Sequence, residues 1–574
     1  MPLTPGRRRL LLALFTLASA ALLLCGVELA LRLAGFGHSP HFFRKARTAD
    51  GELVWRENRN FTAPFFGEAL VRRPQPVRLP LKKAPGTYRI FILGSSAAMG
   101  DPEPAFSLAR VLEVQLRAAY PTVRFEVVNA AVTAINSHLV RGIAADCAQL
   151  EPDLFIVYEG HNEVIGPFGP TGVFTPFLKS ETAVRAFVWL KGTRLAQLAA
   201  RLGRRSDAPA GWGGMEMFLQ QQIRADDPRL DTVRAHFQAN LRAIIIDSGQ
   251  AVGAKTLLCT VATNQRDFAP FLSADGEAER VYQQAKLALD AGRDDEARDL
   301  FQRALDLDTL RFRTDSRLNQ VIRALPGKVR ITNFPSSFSE ETAKPKVRNT
   351  NFGGIEVVDL AAALAAKSPH GILGNEYLYE HVHLTLRGTH EAALALLPSV
   401  AADLAARGLV TAPAAASLPL DLVGRHLGYN THEQAMITLE LVNRFSKPPF
   451  TGQSDHAARL AAWQRRADAA QALLARPDAT DALRELGRLA VAASPDDWLL
   501  ARNTGAMLVA RQQPAEALPL LQRAAAWIDD DVDTLVALGW AHHALGHTAE
   551  AETAFAKARA LEPRYPNLQK AETE

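Results

Sequence analysis

From Tyr88 onward, short runs of apolar, β-forming residues alternate with longer amphipathic stretches of helical period. YRIFILG is followed by EPAFSLARVLEVQLRAAY, RFEVVNA by INSHLVRGIAADCAQL, and DLFIVYE by a loop rich in Gly and Pro. TVRAHFQANLRAIII then precedes AKTLLCTVA, and GIEVVDL precedes AAALAA. Strands covered by crossover helices on both faces are continuously apolar. The alternation therefore predicts an α/β fold, a three-layer parallel sheet with helices on either side. Crossover helices start at the carboxyl ends of such strands, with their amide groups and dipoles pointing there, so chemistry is expected at those ends.

Two regions depart from this pattern. Gly505 and Gly539 lie 34 residues apart. Leu535, Leu538, Ala551, Phe555, Ala558 and Pro563 around the second fall on the small and large positions of a tetratricopeptide repeat, and Ala517, Leu521 and Ala524 repeat much of that set one period earlier. Residues 481–574 are thus expected to form such repeats, whose stacked helix pairs present a concave surface for a protein partner. A similar helix pair, AKLALDAGRDDEARDLFQRALDLD, reads as an insertion near 277–325; one pair cannot bury its own face and should dock on the rest of the molecule. The span 411–480 reads as a helical connector, and 37–85, with its prolines, as a spacer.

The amino terminus bears on location. Arg7, Arg8 and Arg9 precede an uncharged run from Leu10 to Val27, which as a helix covers about 27 Å, close to the hydrocarbon thickness of a bilayer. Residues 10–36 are expected to form a single-pass membrane anchor. Residues 1–9 would be cytoplasmic by the positive-inside rule, the bulk of the chain would be extracytoplasmic, and Glu28 would pair with Arg32 near the far interface. A cleaved secretory signal ending near Ala18-Ser19-Ala20 and a lipidated Cys25 are the alternatives. In all three the chain is exported.

At 574 residues, 48% hydrophobic and 22% charged, the chain has material for more than one core. Its 65 basic and 61 acidic side chains nearly balance, and no basic stripe with interleaved aromatics occurs, which argues against nucleic acid. Cys25, Cys147 and Cys259 sit in apolar runs without metal-ligand spacing, so they read as small hydrophobes.

Three expected strand ends or nearby loops carry polar residues that packing does not require: Gly94-Ser95-Ser96, YEGHNEVIG at 158–166, and YEHVHLT at 379–385. Singly, a serine after a strand is usually a helix cap, Asn162 a turn residue, His383 a structural or solvated histidine, and Glu380 surface charge. Together they provide a nucleophile, an oxyanion donor, a base and a carboxylate to orient that base. Ser95 competes with Ser96 as nucleophile. His390 competes with His383, but lies in a helical pattern with no acid three residues before it. Glu380, His381 and His383 also suggest a metal site, but no second ligand cluster of matching spacing accompanies them, so neither metal nor cofactor is expected.

These blocks resemble those of the SGNH/GDSL hydrolase family over roughly residues 86–410. That family has Gly-Asp-Ser after the first strand, Gly-x-Asn-Asp after the third and Asp-x-x-His late in the chain. The arrangement with an anchor and repeats is also similar to the family's membrane-anchored, tetratricopeptide-bearing branch. The resemblance implies an SGNH-type sheet, with Ser96 as nucleophile and oxyanion donor, Asn162 as a side-chain oxyanion donor, His383 as base and Glu380 as its orienting acid. Ser95, Glu163 and Glu380 replace aspartates of the pattern. Ala134 replaces the glycine that supplies another backbone oxyanion donor, a role its N–H keeps if φ stays negative. The implied activity is hydrolysis or transfer of an acyl ester, such as an O-acylated envelope glycan, through an acyl-enzyme. The alternative is a catalytically decayed domain in a scaffold that binds partners through its repeats.

Overall fold

Two strands buried along their whole length form the centre of the molecule: β4 (Thr87–Gly94), apolar apart from Thr87 and Arg89, and β6 (Leu154–Tyr158). The structure, a computed structural model, describes residues 5–48, 50–203, 213–328, 354–411, 416–563, 565 and 568. The parts of the expected segments that fall elsewhere, among them 1–4, 329–353, 412–415 and 569–574, lie outside the described residues.

With β5 (Arg124–Asn129), β7 (Lys255–Cys259) and β8 (Ile355–Val358), these strands form a five-stranded sheet in the order β5-β4-β6-β7-β8, parallel throughout. The period of two along β4 divides two cores. Tyr88, Ile90 and Ile92 pack with Leu112, Leu116, Leu396 and Val400 from helices Leu108–Ala119 and Leu386–Ala406. Phe91 and Leu93 pack with Leu139, Ile143, Phe237 and Leu241 from helices Ser137–Cys147 and Arg229–Ala243. The expected α/β architecture is present, with helices on both faces.

The stretch read as a spacer is folded. β1 (Phe43–Arg47), β2 (Leu53–Glu57) and β3 (Arg78–Pro80) form a three-stranded antiparallel sheet. Phe42, Phe43, Phe61, Phe65 and Phe66 are buried in the same core as Phe91 and Leu139. The prolines punctuate this small sheet, while the five phenylalanines supply the apolar area that attaches it to the main one.

The helix pair Glu277–Asp290 and Asp294–Leu307 docks on the body, with Ala285, Ala297, Phe301 and Ala304 buried alongside Ala269 and Ile372. Helices Leu420–His426, Thr431–Phe445 and His456–Leu474 occupy the connector. The carboxyl-terminal region consists of helices Ala479–Ala493, Trp498–Ala510, Pro514–Trp527, Val532–Ala544 and Thr548–Leu561. Its small and large positions interlock as the repeat pattern requires. A Cβ on Gly505 would lie 2.7 Å from Leu521 Cγ, and one on Gly539 2.5 Å from the Phe555 ring.

One helix, Pro5–Leu33, opens the chain; from Gly6 it is long and apolar enough to cross a membrane, and it is unburied. Such a helix suits an anchor or a signal peptide. The expected Glu28–Arg32 pair is formed, at 2.8 Å.

Candidate active site

After β4 the chain crosses to β5 on one side, and it later returns to β6 on the other. In open α/β sheets such a reversal marks where ligands bind, beyond the carboxyl ends of the two strands, here β4 and β6. The register Gly94↔Tyr158 aligns the two strand ends. The approach is so close that a Cβ on Gly94, whose φ is +155°, would come within 2.2 Å of the Tyr158 carbonyl.

Ser95 and Ser96 follow directly. Ser96 opens the four-residue helix Ser96–Met99, and Ser95 occupies its cap position without making a side-chain capping bond. Both hydroxyls instead meet one imidazole: His161 Nε2 lies 3.0 Å from Ser95 Oγ and 3.2 Å from Ser96 Oγ. Ser95 is wholly buried, whereas Ser96 is partly exposed, which makes Ser96 the accessible hydroxyl of the two. His161 is buried, and its Nδ1 has no hydrogen-bond partner among the described residues. Burial, with the nearby rings of His383 and His381, holds its pKa well below the ordinary imidazole value, so the ring is neutral.

Asn162 is buried next to His161 and donates from Nδ2 to the Ile135 carbonyl at 3.0 Å, which ties it to the loop carrying Ala134. Ala134 has φ +64°, in the left-handed region that favours glycine, so the condition of negative φ is not met there. The chain follows a glycine's path with an alanine in place. Glu163 accepts from Ser137 N at 2.8 Å and from Ser137 Oγ at 2.7 Å, and burial pushes its pKa up to about 7. Its role here is to hold the loops together. Burial, reinforced by Glu163, also holds the Glu159 carboxyl well above its ordinary pKa.

On the loop before helix Leu386–Ala406, Glu380 is fully buried and receives two imidazoles. One carboxylate oxygen pairs with His383 Nδ1 and the other with His381 Nδ1. Burial disfavours the Glu380 anion, yet the two histidines outweigh it and keep its pKa well below the usual range. Burial likewise opposes a charge on His383, but Glu380 and Asp101 reverse the balance and raise its pKa. His381, packed against Phe268, Phe271 and Phe312, stays on the low side because burial prevails.

The two halves of the site meet, although not through the bond the sequence suggests. The His161 and His383 ring centroids are 6.4 Å apart, Ser96 bonds to His161, and His383 Nε2 has no hydrogen-bond partner among the described residues. It faces Asp101 Oδ2 at 3.7 Å. Asp101 is held in turn by Arg444 at 2.5 Å, from helix Thr431–Phe445 in the connector. Burial works against the Asp101 anion, while Arg444 and His383 overcome it and lower its pKa.

His390 serves elsewhere: its Nε2 bonds to the Leu418 carbonyl at 3.0 Å. Glu380, His381 and His383 offer three ligand atoms within 4.8 Å of one another, a donor set that could hold a metal ion. Sequence reading missed His161, Asp101 and Arg444. Only His161 carried a signal, standing between the Gly and Asn of a block already singled out.

No curated protein matches the chain. One family model does match, over the carboxyl-terminal helices only: residues 508–574 fit the tetratricopeptide repeat, a module that points to protein–protein interaction.

Proposed function

We propose that the chain is an exported, membrane-tethered serine hydrolase of the SGNH type that cleaves or transfers an acyl ester. Ser96 Oγ attacks the acyl carbonyl and passes its proton to His383 Nε2, whose ring Glu380 orients through Nδ1. The backbone N–H of Ser96 and the Asn162 amide stabilise the oxyanion. His383 then protonates the leaving alcohol, and water or an acceptor alcohol releases the acyl group from Ser96. An O-acylated envelope glycan fits an exported enzyme, and the repeats recruit its protein partner.

The observation that carries this reading is the buried Glu380–His383 pair, in which Nδ1 is occupied and Nε2 has no hydrogen-bond partner among the described residues. A base needs this arrangement to accept a proton from a hydroxyl. The present Ser96–His161 bond must open for the transfer, and a rotation of the serine side chain suffices to break it.

A second reading has support of its own. Ser96 is engaged by His161, and Ala134 holds a glycine conformation, as in a domain whose catalysis has decayed and whose repeats do the work. Labelling with a fluorophosphonate probe, followed by mass mapping, separates the two. Modification of Ser96 that disappears in Ser96→Ala and survives a metal chelator supports the hydrolase. Folded protein that takes no label supports the scaffold.

A further inference from the structure

Helices Glu181–Lys191 and Arg194–Leu202 form a hairpin beside the outer end of the amino-terminal helix. The attachment is polar. Glu28 accepts from the backbone N–H groups of Arg194 and Leu195 at 3.0 and 2.9 Å, so an acid at the end of the first helix caps the start of the hairpin's second helix. Gln197 exchanges hydrogen bonds with the His38 backbone at 2.7 and 2.9 Å, and Arg201 lies over the Phe36 ring. These contacts fix the hairpin at the level where the apolar helix ends.

Away from these contacts the hairpin exposes several apolar side chains, while Val184 is buried and Phe187, Val188, Leu195 and Leu198 are half-buried. In its first helix Ala183, Ala186 and Leu190 recur at helical spacing with Trp189 beside them, and in the second Leu195, Leu198 and Leu202 do the same. The second helix buries none of its residues. Trp189 is 73% exposed, Leu190 47% and Leu202 79%. Single exposed leucines occur on other helices here, among them Leu287 at 66%, but Trp189 is the large aromatic that stands exposed together with apolar neighbours on one short hairpin.

We propose that this hairpin is a second membrane contact, lying in the outer headgroup region with Trp189, Leu190 and Leu202 inserted among the acyl chains. The occupant is lipid, because the surface continues from the helix read as the anchor and is pinned to its end through Glu28. Tryptophan is favoured at that depth, its ring apolar and its N–H wet. Amphipathic helices of this kind bury their apolar side a few ångströms into the boundary. The inference rests on the anchor reading and adds to it a fixed orientation. A single helix leaves the exported body free to swivel, whereas a helix plus a hairpin holds one side of it to the bilayer.

The test uses the full chain in phosphatidylcholine vesicles, some carrying brominated acyl chains that quench tryptophan on contact. Six other tryptophans are present, so Trp189→Phe is the reference. The expected result is quenching that is strongest with bromine near the headgroup end of the chain and that is lost in Trp189→Phe. Leu202→Glu, which keeps the reporter, should reduce the same quenching by lifting the hairpin out. Equal quenching of the parent and both variants, with the chain floating with the vesicles, overturns the hairpin and leaves the anchor intact. A chain that does not float overturns both. Trp189 shielded from acrylamide yet untouched by brominated lipid assigns the face to a protein and overturns the proposal.

Discussion

His383 is the residue whose titration reports most directly on the site. A general base works in its neutral form, and Glu380 and Asp101 raise the pKa of this ring. The labelling rate of Ser96 should therefore climb with pH through a limb lying above the ordinary histidine value of about 6.5. Glu380→Gln removes the stronger of the two carboxylates that raise it, so the limb should shift to lower pH while the plateau drops. An unshifted limb would assign it to another group. His383→Ala should slow labelling by about 100-fold or more. His161→Asn, which releases the Ser96 hydroxyl, should retain labelling. The opposite outcome for these two variants would make His161 the base. Ala134→Gly should stabilise the fold by about 1 kcal/mol, because a Cβ is costly in the left-handed region; thermal unfolding measures it. The candidate residues are legible because Ser96 and Asn162 fall in short blocks after strands, and Glu380 and His383 in a short polar block on the loop before a helix. His161 was passed over because a histidine inside such a block has no periodicity or partner to mark it. Asp101 and Arg444 meet only through folding across 343 residues, which no local pattern encodes.

At the scale of elements, the central strands and the repeats were readable because burial on both faces and a 34-residue period leave strong marks. The sheet β1–β3 was not, since its strands are short and carry charges, as edge strands do. Its attachment depends on phenylalanines scattered between prolines. The interlocking glycines offer a direct check on the repeats. Gly539→Ala must displace the Phe555 ring, and Gly505→Ala must displace Leu521, so each should cost about 1–3 kcal/mol. Denaturant unfolding should register a loss in either case. No loss would mean that the helix pairs have room to separate without penalty.

Across the whole molecule, charge pairs join the repeats to the rest. Arg56, buried on β2, pairs with Glu57 and with Asp530, and Arg44 reaches the same aspartate at 3.3 Å. Arg110, on helix Leu108–Ala119, pairs with Asp497. Asp530→Asn leaves the Arg56 cation buried with one anion fewer, and should lower stability by about 3 kcal/mol. Arg56→Met in that background should recover part of the loss, which a double-mutant cycle would quantify. Removing residues 481–574 takes Asp530 from Arg56 and Asp497 from Arg110 at once. The α/β body should then unfold at lower temperature, even though every strand of its sheet is retained.

The Arg444–Asp101 pair has a practical consequence for anyone who trims this protein. A version that stops near residue 410 would keep the sheet, both serines and the Glu380–His383 pair, and with them every residue to which the hydrolase reading gives a role. It would also leave the Asp101 carboxylate uncompensated beside the imidazole, tightening that ring's hold on its proton. On the hydrolase reading such a fragment would label slowly at neutral pH, and a missing arginine would be mistaken for a domain whose catalysis has decayed.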